Sequence, residues 1–232
     1  MLLKEALALS IGGDLRHLRQ VAAQLSYLGA SVRLEGPLRW GPALLLGKGN
    51  NSVIVLCEVA GSIYACKIRR GDAQRPSLIH EARLLRMANE VGVGPRLYAF
   101  TRDVLVMEYI RGVPMASWWR EADANLKAEA AVALLRQARA LDKIGLSHNE
   151  LARPGEHVLM AGGAPVIIDF ESATLGKARN VLQVLNLLRT LGVETPLELA
   201  RRYSREQSDE AFNDIVHFLL NSWKSFQSLS PR

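Results

Sequence analysis

A change in residue pattern near residue 111 constrains the fold of this chain more than any other feature of its sequence. Residues 42–110 predict the order strand, glycine loop, strand, strand, helix, strand, strand, because runs of β-branched residues alternate with short polar turns. After residue 111 the sequence changes to alanine and leucine at helical spacing, above all in residues 123–144. The sequence therefore predicts an α+β protein, in which an antiparallel β-sheet with one helix precedes a mainly α-helical region.

This pattern divides the chain into three segments. Residues 1–40 form an N-terminal helical extension, residues 41–110 the sheet-rich region, and residues 111–232 the helical region. Within the extension, residues 14–29 predict an amphipathic helix that we expect to pack on the body of the protein, with recognition of a partner as the alternative. The helical region also predicts a short hairpin around Gly162-Gly163 and helices over residues 178–191 and 206–226.

The composition is that of an ordinary globular protein with a basic surface. The chain has 232 residues, of which 49% are hydrophobic, and a formal net charge of +6. No run of about 18 or more uncharged apolar residues occurs, so we expect no membrane span, and the N-terminus does not have the pattern of a signal peptide. The positive charge favours phosphate-bearing partners, which include nucleotides and RNA.

The two cysteines of the sequence, Cys57 and Cys66, flank a predicted hairpin turn at Gly61-Ser62. With that turn, Cys57 directly faces Cys66 across the two strands. A disulfide is therefore one interpretation, but we expect two reduced cysteines that act as small hydrophobic residues. So low a cysteine content fits a reducing compartment, and we expect a cytoplasmic protein.

A single acidic residue, Asp169, ends the β-branched run of Val166–Ile168 and is followed by a polar turn. One interpretation is structural, because aspartate commonly caps the turn after a strand. The other is chemical, because a carboxylate at the end of a buried strand can bind a metal ion at the mouth of a cleft. The structural and the chemical interpretation of Asp169 can be distinguished by the motifs elsewhere in the sequence.

Four features occur in an order that points to nucleotide chemistry. A glycine loop, GKGNNSVIV at residues 47–55, can bring backbone amides close to a phosphate chain. Lys67 follows on a strand, Glu81 on the next helix and Asp169 at the end of a later strand. Taken singly, these features are typical of a hairpin turn, a solvated lysine, an acid paired with Arg86 and a turn cap. Their order favours the functional interpretation.

In this order the chain resembles the protein-kinase-like fold from residue 40 to about residue 220. It is similar to the RIO kinases and to the small kinase of the KEOPS tRNA-modification complex. The stretch from His148 to Ala173 is most similar to an uncharacterised group of archaeal predicted serine/threonine protein kinases, in which loops like HNELARPGEHV precede IIDFESA. The resemblance implies two lobes: an antiparallel β-sheet N-lobe with one helix, and a minimal, mainly α-helical C-lobe.

The resemblance also implies a role for individual residues. Lys67 would contact the α- and β-phosphates of ATP, and Glu81 would hold this lysine. Asp169 would bind Mg²⁺, which prefers oxygen ligands, and Glu150 would be the base that accepts the substrate proton. Val53 and Ala65 would cover the adenine in a nucleotide site that comprises Gly47, Lys48, Gly49, Asn50, Ser52, Val53, Ala65, Lys67 and the hinge residues Met107, Glu108, Tyr109 and Ile110.

The sequence departs from the kinase pattern in this region. Glu150 stands where kinases have aspartate, a change that displaces the carboxylate by roughly 1 Å and can cost on the order of 100-fold in rate. His157 takes the place of the asparagine that helps to bind a second metal, which leaves three alternatives: one Mg²⁺ suffices, Glu156 is the ligand, or the ion is another, such as Mn²⁺. Glu171 replaces the glycine of the DFG triplet, and Thr174–Lys177 leaves no long activation segment.

We therefore expect an ATP-dependent phosphotransferase, above all an atypical serine/threonine protein kinase that transfers the γ-phosphate of ATP to a protein hydroxyl. An ATP-binding pseudokinase or ATPase switch on an RNA- or ribosome-related assembly is one alternative, based on the basic charge, Glu150 and His157. A small-molecule kinase of the aminoglycoside-phosphotransferase type is another, because those enzymes share the IDFE ending. The acceptor, the number of metals and the oligomeric state do not follow from the sequence.

Overall fold

The computed structural model describes residues 7–8, 11–153 and 156–229, and the chain divides into two compact units. The first unit contains the chain up to Asn89 together with Pro95–Ile110. The second contains Glu90–Gly94 and the chain from Arg111 onwards. This division groups the described part of residues 1–40 with the sheet, and it changes units at the position where the residue pattern of the sequence changes.

Antiparallel strands form the framework of the first unit. They are β1 (Ala30–Arg33), β2 (Leu38–Trp40), β3 (Ala43–Leu45), β4 (Gly47–Lys48), β5 (Ser52–Val59), β6 (Ser62–Arg69), β7 (Leu97–Phe100) and β8 (Val104–Glu108). The main sheet has the order β1-β5-β6-β8-β7, and the short β4 also pairs with β5. Strands β2 and β3 form a separate hairpin. The sequence thus predicted the antiparallel sheet correctly but missed β1, which is only four residues long.

Helix α1 (Leu15–Tyr27) packs on one face of the main sheet. It begins where the Asp14 carboxylate accepts a hydrogen bond from the backbone N–H of His17 at 2.8 Å, which satisfies one of the free amides of a helix N-terminus. The Gln24 side chain exchanges hydrogen bonds of 2.7 and 2.8 Å with the buried Asp103 next to β8. The prediction that this helix packs on the body of the protein is confirmed.

Helix α2 (Ile79–Glu90) packs on the opposite face of the sheet. Its residue Ala82, together with Leu78 just before the helix, forms a buried cluster with Leu105 of β8. The neighbours of Leu105 on its strand, Val104 and Val106, point instead into the cluster under α1. Because side chains alternate along a strand, the sheet buries apolar residues on both faces, and this requires two covering layers.

The hairpin between β5 and β6 corrects the sequence prediction for the cysteines. The turn residues are Ala60 and Gly61, both at positive φ (48° and 79°), so Cys57 pairs with Tyr64 rather than with Cys66. Positive φ at both central positions belongs to the tight two-residue turns whose twist matches that of the strands. Cys57 and Cys66 are diagonal neighbours on one buried face and are joined by a disulfide, with Cα atoms 5.8 Å apart. The expectation of two reduced cysteines is therefore wrong.

Helices form most of the second unit. They are α3 (Met115–Glu121), α4 (Ala124–Lys143), α5 (Asn180–Thr190), α6 (Leu197–Glu206) and α7 (Asp209–Leu229). Short strands complete it: β9 (Val113–Pro114), β10 (Leu146–Ser147), β11 (Val158–Ala161), β12 (Ala164–Ile167) and β13 (Thr174–Leu175). Strands β11 and β12 form the predicted hairpin, β9 extends it, and β10 pairs with β13.

Helix α4 is the centre of the second unit, where it packs against α5 and α7. It begins at Asp123, whose carboxylate accepts a hydrogen bond from the Leu126 backbone N–H at 2.9 Å. Small and branched residues at helical spacing, such as Ala131, Leu134 and Leu141, are fully buried along it. The predicted helix over residues 123–144 is therefore confirmed, and the other two predicted helices of this region correspond to α5 and α7.

Two helices of the second unit were missed in the sequence. Helix α3 has only seven residues, which is too short for a helical period to be recognised. Helix α6, LELARRYSRE, is half charged and only Tyr203 of it is buried, so it has too few apolar residues for its helical period to be recognised. Among the described residues, no helix combines the length and the apolar character needed to cross a membrane.

Candidate functional site

The first unit contains a buried ion pair between Lys67 of β6 and Glu81 of α2. The Lys67 ammonium donates a hydrogen bond to a Glu81 carboxylate oxygen at 2.7 Å, and the two side chains are only 3% and 6% exposed. Desolvating two charges is costly, and such a pair is retained where its position matters more than stability does. The prediction that Glu81 pairs with Lys67 rather than with Arg86 is confirmed, and Lys67 is not a solvated strand lysine.

The glycine loop is a tight connection between β4 and β5. The Gly49 backbone N–H donates a hydrogen bond to the Ser52 carbonyl at 2.8 Å, which closes the turn around Asn50. Lys48 places its ammonium 4.0 Å from the centre of the exposed Trp40 ring, a cation–π contact. The loop therefore has a defined shape, although Ser52 is buried and a role of these residues in binding phosphate stays a prediction.

The register of the sheet changes one of the predicted nucleotide contacts. Val53 pairs with Ile68 and belongs to the buried cluster under α1. Ile54 pairs with Lys67, and side chains paired across antiparallel strands lie on the same face. Val53 therefore points away from the face that carries Lys67, and Ile54 takes its place as the candidate to cover the adenine. Alternation along a strand shows which residues share a face, but only the register between strands shows whether that face is the one that carries Lys67 or the one under α1.

The predicted hinge lies at the end of β8. Met107 of β8 pairs with Ala65 of β6. Because Ala65 is two residues from Lys67 on the same strand, all three side chains lie on one face of the sheet. The backbone N–H of Glu108 donates to the Arg96 carbonyl at 2.8 Å, and its carboxylate accepts a longer bond of 3.2 Å from the Arg96 backbone N–H. Tyr109 and Ile110 follow the strand without regular structure, where backbone groups can serve a ligand.

In the second unit, the sequence Ser147–Glu150 forms a loop held by its own polar side chains. Asn149 adopts a left-handed conformation with a φ of 73°, which is uncommon outside glycine. Its side-chain amide donates to the Ser172 carbonyl at 2.8 Å and to the Thr174 hydroxyl at 3.0 Å, and the Ser147 hydroxyl donates to its oxygen at 2.7 Å. Asn149 thus ties this loop to the turn that follows Asp169.

The candidate base, Glu150, has two charged or polar neighbours. One carboxylate oxygen lies 2.8 Å from the guanidinium of Arg153. The other lies 3.9 Å from Nε2 of His157, and Nδ1 of the same ring lies 4.0 Å from a carboxylate oxygen of Asp169. The His157 imidazole therefore stands between two carboxylates. Pro154 and Gly155, also part of this predicted loop, lie outside the described residues.

Asp169 combines an unusual backbone with a partly exposed carboxylate. Its φ is 66°, in the left-handed region, and such strained backbone persists where the surroundings hold it and often marks functional positions. Its side chain is 33% exposed, whereas Ile167 at the end of β12 is fully buried. One carboxylate oxygen of Asp169 and one of Glu171 lie within 4.8 Å of each other. Oxygen donors of this kind suit Mg²⁺ and Mn²⁺.

A buried polar network of Asp142, Asn180 and Tyr203 holds the backbone at the start of this loop, and no sequence pattern predicted it. The Asn180 side chain accepts a hydrogen bond from the His148 backbone N–H at 2.8 Å and donates to the Leu146 carbonyl at 2.7 Å and to Asp142 at 2.8 Å. Asp142 also accepts from the backbone N–H of Asn180 at 2.7 Å and from the Tyr203 hydroxyl at 2.8 Å. Burial, and then the charge of Asp142, raise the pKa of Tyr203.

His148 is fully buried between the loop and the residues on either side of Asp169, which follow β12. Its Nε2 lies 2.9 Å from the Ile168 carbonyl, and its ring makes an edge-to-face contact with Phe170. Burial lowers the pKa of His148 to about 4, against an opposing contribution from the Ile168 hydrogen bond. The imidazole is therefore neutral at pH 7, with Nε2 donating to Ile168, and it supports the loop rather than carrying charge.

The sheet contains a buried lysine–glutamate pair, and the helical unit contains the loop His148–Glu150 and, just after β12, Asp169. These features are those of a protein-kinase-like chain. The family model of the RIO domain matches residues 64–187, a range that includes Lys67, Glu81, Glu150 and Asp169. The chain belongs to the RIO domain family, a family of atypical protein kinases.

Among solved structures, the chain is similar to a crystal structure of a kinase domain, with a TM-score of 0.47 and 16% sequence identity. The match covers 61% of this chain and 55% of that chain, so the chain spans about half the length of the kinase domain that it matches. No curated protein matches the sequence.

Proposed function

We propose that this protein is an ATP-dependent atypical serine/threonine protein kinase, which transfers the γ-phosphate of ATP to a hydroxyl group of another protein or of itself. The observation that carries the proposal is the buried ion pair of Lys67 and Glu81 in a chain of the RIO domain family. A lysine fixed in this way presents its charge to the phosphates in one geometry, and phosphoryl transfer depends mainly on positioning and electrostatics.

In the first unit, Lys67 binds the phosphates of ATP and Glu81 orients Lys67. The loop from Gly47 to Ser52 covers the phosphates, and Ala65, Ile54 and Met107 on the Lys67 face cover the adenine. The backbone of residues 108–110 binds the adenine edge. Each of these roles rests on the resemblance to kinases together with the faces that the register assigns.

In the second unit, Glu150 acts as the base. Its carboxylate accepts the proton of the acceptor hydroxyl while that oxygen forms a bond to the γ-phosphorus, and the bond from the γ-phosphorus to the β–γ bridging oxygen breaks as ADP leaves. The proposed ligands of a divalent cation, Mg²⁺ or Mn²⁺, are Asp169 and His157. The accessible Asp169 carboxylate fits either ion, whereas His157, which has two buried nitrogens without a hydrogen-bond partner among the described residues, fits Mn²⁺. When bound, the ion supplies positive charge to the phosphate oxygens.

One contact favours a second candidate, an ATPase switch without protein phosphorylation. Arg153 lies 2.8 Å from one Glu150 carboxylate oxygen, so its guanidinium competes with an acceptor hydroxyl for the proposed base. In that case water rather than a hydroxyl is the acceptor, and the net charge of +6 fits an association with RNA.

A time course with γ-labelled ATP tests the proposal, with label on protein and free phosphate followed together in Mg²⁺ and in Mn²⁺. We expect label on the wild-type protein or on an added protein acceptor, lost in Asp169→Ala and retained in Asp214→Ala, a surface aspartate paired with Arg202. Free phosphate alone, dependent on Asp169, would identify the ATPase switch. If Asp169→Ala and the wild type behave alike in both channels, the proposed function is wrong.

A further inference from the structure

His157 occupies an unusual position for a polar side chain in a protein core. Its relative exposure is only 7%, and neither ring nitrogen has a hydrogen-bond partner within the described residues. A buried polar group without a partner is costly to the folded state, and an imidazole contains two such groups. A polar residue kept at this cost points to a ligand that is bound in the working protein.

The groups that face His157 define what that ligand is. Glu150 lies on the Nε2 side at 3.9 Å, Asp169 lies on the Nδ1 side at 4.0 Å, and the neutral His148 ring lies at a centroid distance of 5.5 Å. Both separations exceed a hydrogen bond. The 4.0 Å between Nδ1 and the Asp169 oxygen accommodates a cation bound on both sides, because metal–nitrogen and metal–oxygen bonds are each about 2.0–2.2 Å.

The opposite side of the ring supports the same interpretation. A histidine that binds a metal through one nitrogen commonly donates its other N–H to a carboxylate, which fixes the tautomer and strengthens the ligand. Glu150 stands on that side of His157, at the Nε2 atom. The order Glu150, His157, Asp169 therefore has the chemistry of a carboxylate–histidine–metal arrangement, and it accounts for both unpartnered nitrogens at once.

We propose that His157 gives the cation site of this kinase a nitrogen ligand next to Asp169, and that the site therefore selects Mn²⁺ over Mg²⁺. The inference rests on the proposed function, because it concerns the ion that Asp169 binds. Mg²⁺ requires oxygen ligands and gives up its water reluctantly. Mn²⁺ shares the preference for carboxylates and, as a transition metal ion, also accepts imidazole nitrogen.

Pulsed electron paramagnetic resonance of Mn²⁺ bound to the full chain tests this inference directly. The sample contains saturating ADP and protein in which only the histidines carry ¹⁵N, so that a ¹⁵N coupling comes from an imidazole and not from the adenine. We expect such a coupling in the wild type, its loss in His157→Asn, and its retention in His217→Asn, which changes an exposed histidine of the same unit. Competition with Mg²⁺ gives the selectivity in the same samples.

The size of the selectivity change follows from the loss of one ligand. Removing even a residue that only orients a metal ligand costs roughly 10-fold or more in metal affinity. We therefore expect His157→Asn to lower the Mg²⁺ concentration that displaces half of the Mn²⁺ by at least about tenfold, whereas His217→Asn leaves it unchanged. Circular dichroism of His157→Asn establishes that it is folded, and the wild-type spectrum decides the ligation whether or not the variant folds.

Three outcomes would overturn the inference in different ways. One outcome is that Asp169→Asn abolishes Mn²⁺ binding but the wild type shows no ¹⁵N coupling. In that case His157 is not a ligand, and the proposed kinase function is unaffected. A coupling that persists in folded His157→Asn likewise assigns the nitrogen to another histidine. If Mn²⁺ binding is unchanged in Asp169→Asn, the metal site is misplaced and the proposed function falls with it.

Discussion

At the scale of single residues, the proposed function gives the buried charge pair of Lys67 and Glu81 a role in binding ATP that does not depend on a contribution to stability. Removing one member of such a pair costs about 3–5 kcal/mol, because the other charge stays buried. Replacing both with apolar residues of similar volume is often neutral. Lys67 of β6 and Glu81 of α2 are both almost fully buried, so we expect the single and the double replacement to differ in this way.

We predict that Glu81→Leu alone lowers the free energy of unfolding by about 3 kcal/mol, whereas the double variant Lys67→Met with Glu81→Leu recovers most of that loss. Both variants lose ATP binding, because the phosphate-binding ammonium is misplaced in one and absent in the other. Urea unfolding and titration with a fluorescent ATP analogue measure the two effects. Glu90→Leu, at the end of the same helix, is the control. A double variant as unstable as the single one would contradict this account.

The disulfide between Cys57 and Cys66 gives a second residue-scale prediction. It closes a loop with a sequence separation of 9, and in the chain-entropy account such a loop stabilises the folded state by about 2–3 kcal/mol. We expect dithiothreitol to lower the melting temperature of the wild type and to leave that of the Cys57→Ala, Cys66→Ala double variant unchanged. Equal melting curves with and without reductant in the wild type would show that the bond contributes nothing.

At the scale of elements, the start of α5 fixes the loop that carries Glu150. No side chain of its own caps this helix, and Asp142 of α4 accepts the backbone N–H groups of Asn180 and Val181 instead. A carboxylate at a helix N-terminus is favourable because it meets both the free amides and the dipole. The Asn180 side chain in turn accepts a hydrogen bond from the backbone N–H of His148. Two helices and the loop that carries Glu150 are thereby joined in one hydrogen-bonded unit.

Substituting Asn180 tests this connection. Asn180→Ala leaves the buried His148 N–H and Leu146 carbonyl without partners, at about 1–3 kcal/mol each, so we expect a loss of about 3 kcal/mol in the free energy of unfolding. Below the melting temperature, we expect kcat to fall while the KM for ATP stays nearly constant, because the loop positions the base and not the nucleotide. Asn186→Ala, on the exposed side of the same helix, should change neither. A larger effect on KM than on kcat would contradict this role.

At the scale of the whole molecule, the sequence predicts what depends on local pattern and misses what depends on register or on distant partners. The antiparallel sheet, α4 and the Lys67–Glu81 pair follow from periodicity and from the order of motifs. The side of the sheet on which Val53 lies, and the pairing of Cys57, depend on a shift of one or two residues that periodicity cannot detect. The network of Asp142, Asn180 and Tyr203 joins residues up to 61 positions apart, so no local sequence pattern can predict it.

The stability of the chain should fall as the pH decreases below neutrality, because His148 is buried in its neutral form. Its pKa is about 4 in the folded protein and 6.5 in its ordinary state, so between these values the unfolded chain binds more protons than the folded one. The stabilisation is thus complete above pH 6.5 and is lost as the pH falls from 6.5 towards 4, by up to about 1.4 kcal/mol per pH unit.

Urea unfolding at pH 7 and at pH 5 measures this effect, with tryptophan fluorescence as the signal. Three of the four tryptophans, Trp118, Trp119 and Trp223, lie in the second unit with His148. We expect the wild type to lose about 2 kcal/mol more than His148→Asn over this interval, because asparagine does not titrate. His217→Asn, at an exposed histidine, should keep the wild-type difference. If His148→Asn loses as much as the wild type, the acid sensitivity arises from groups other than this buried imidazole, and the loop around Glu150 does not depend on its neutrality.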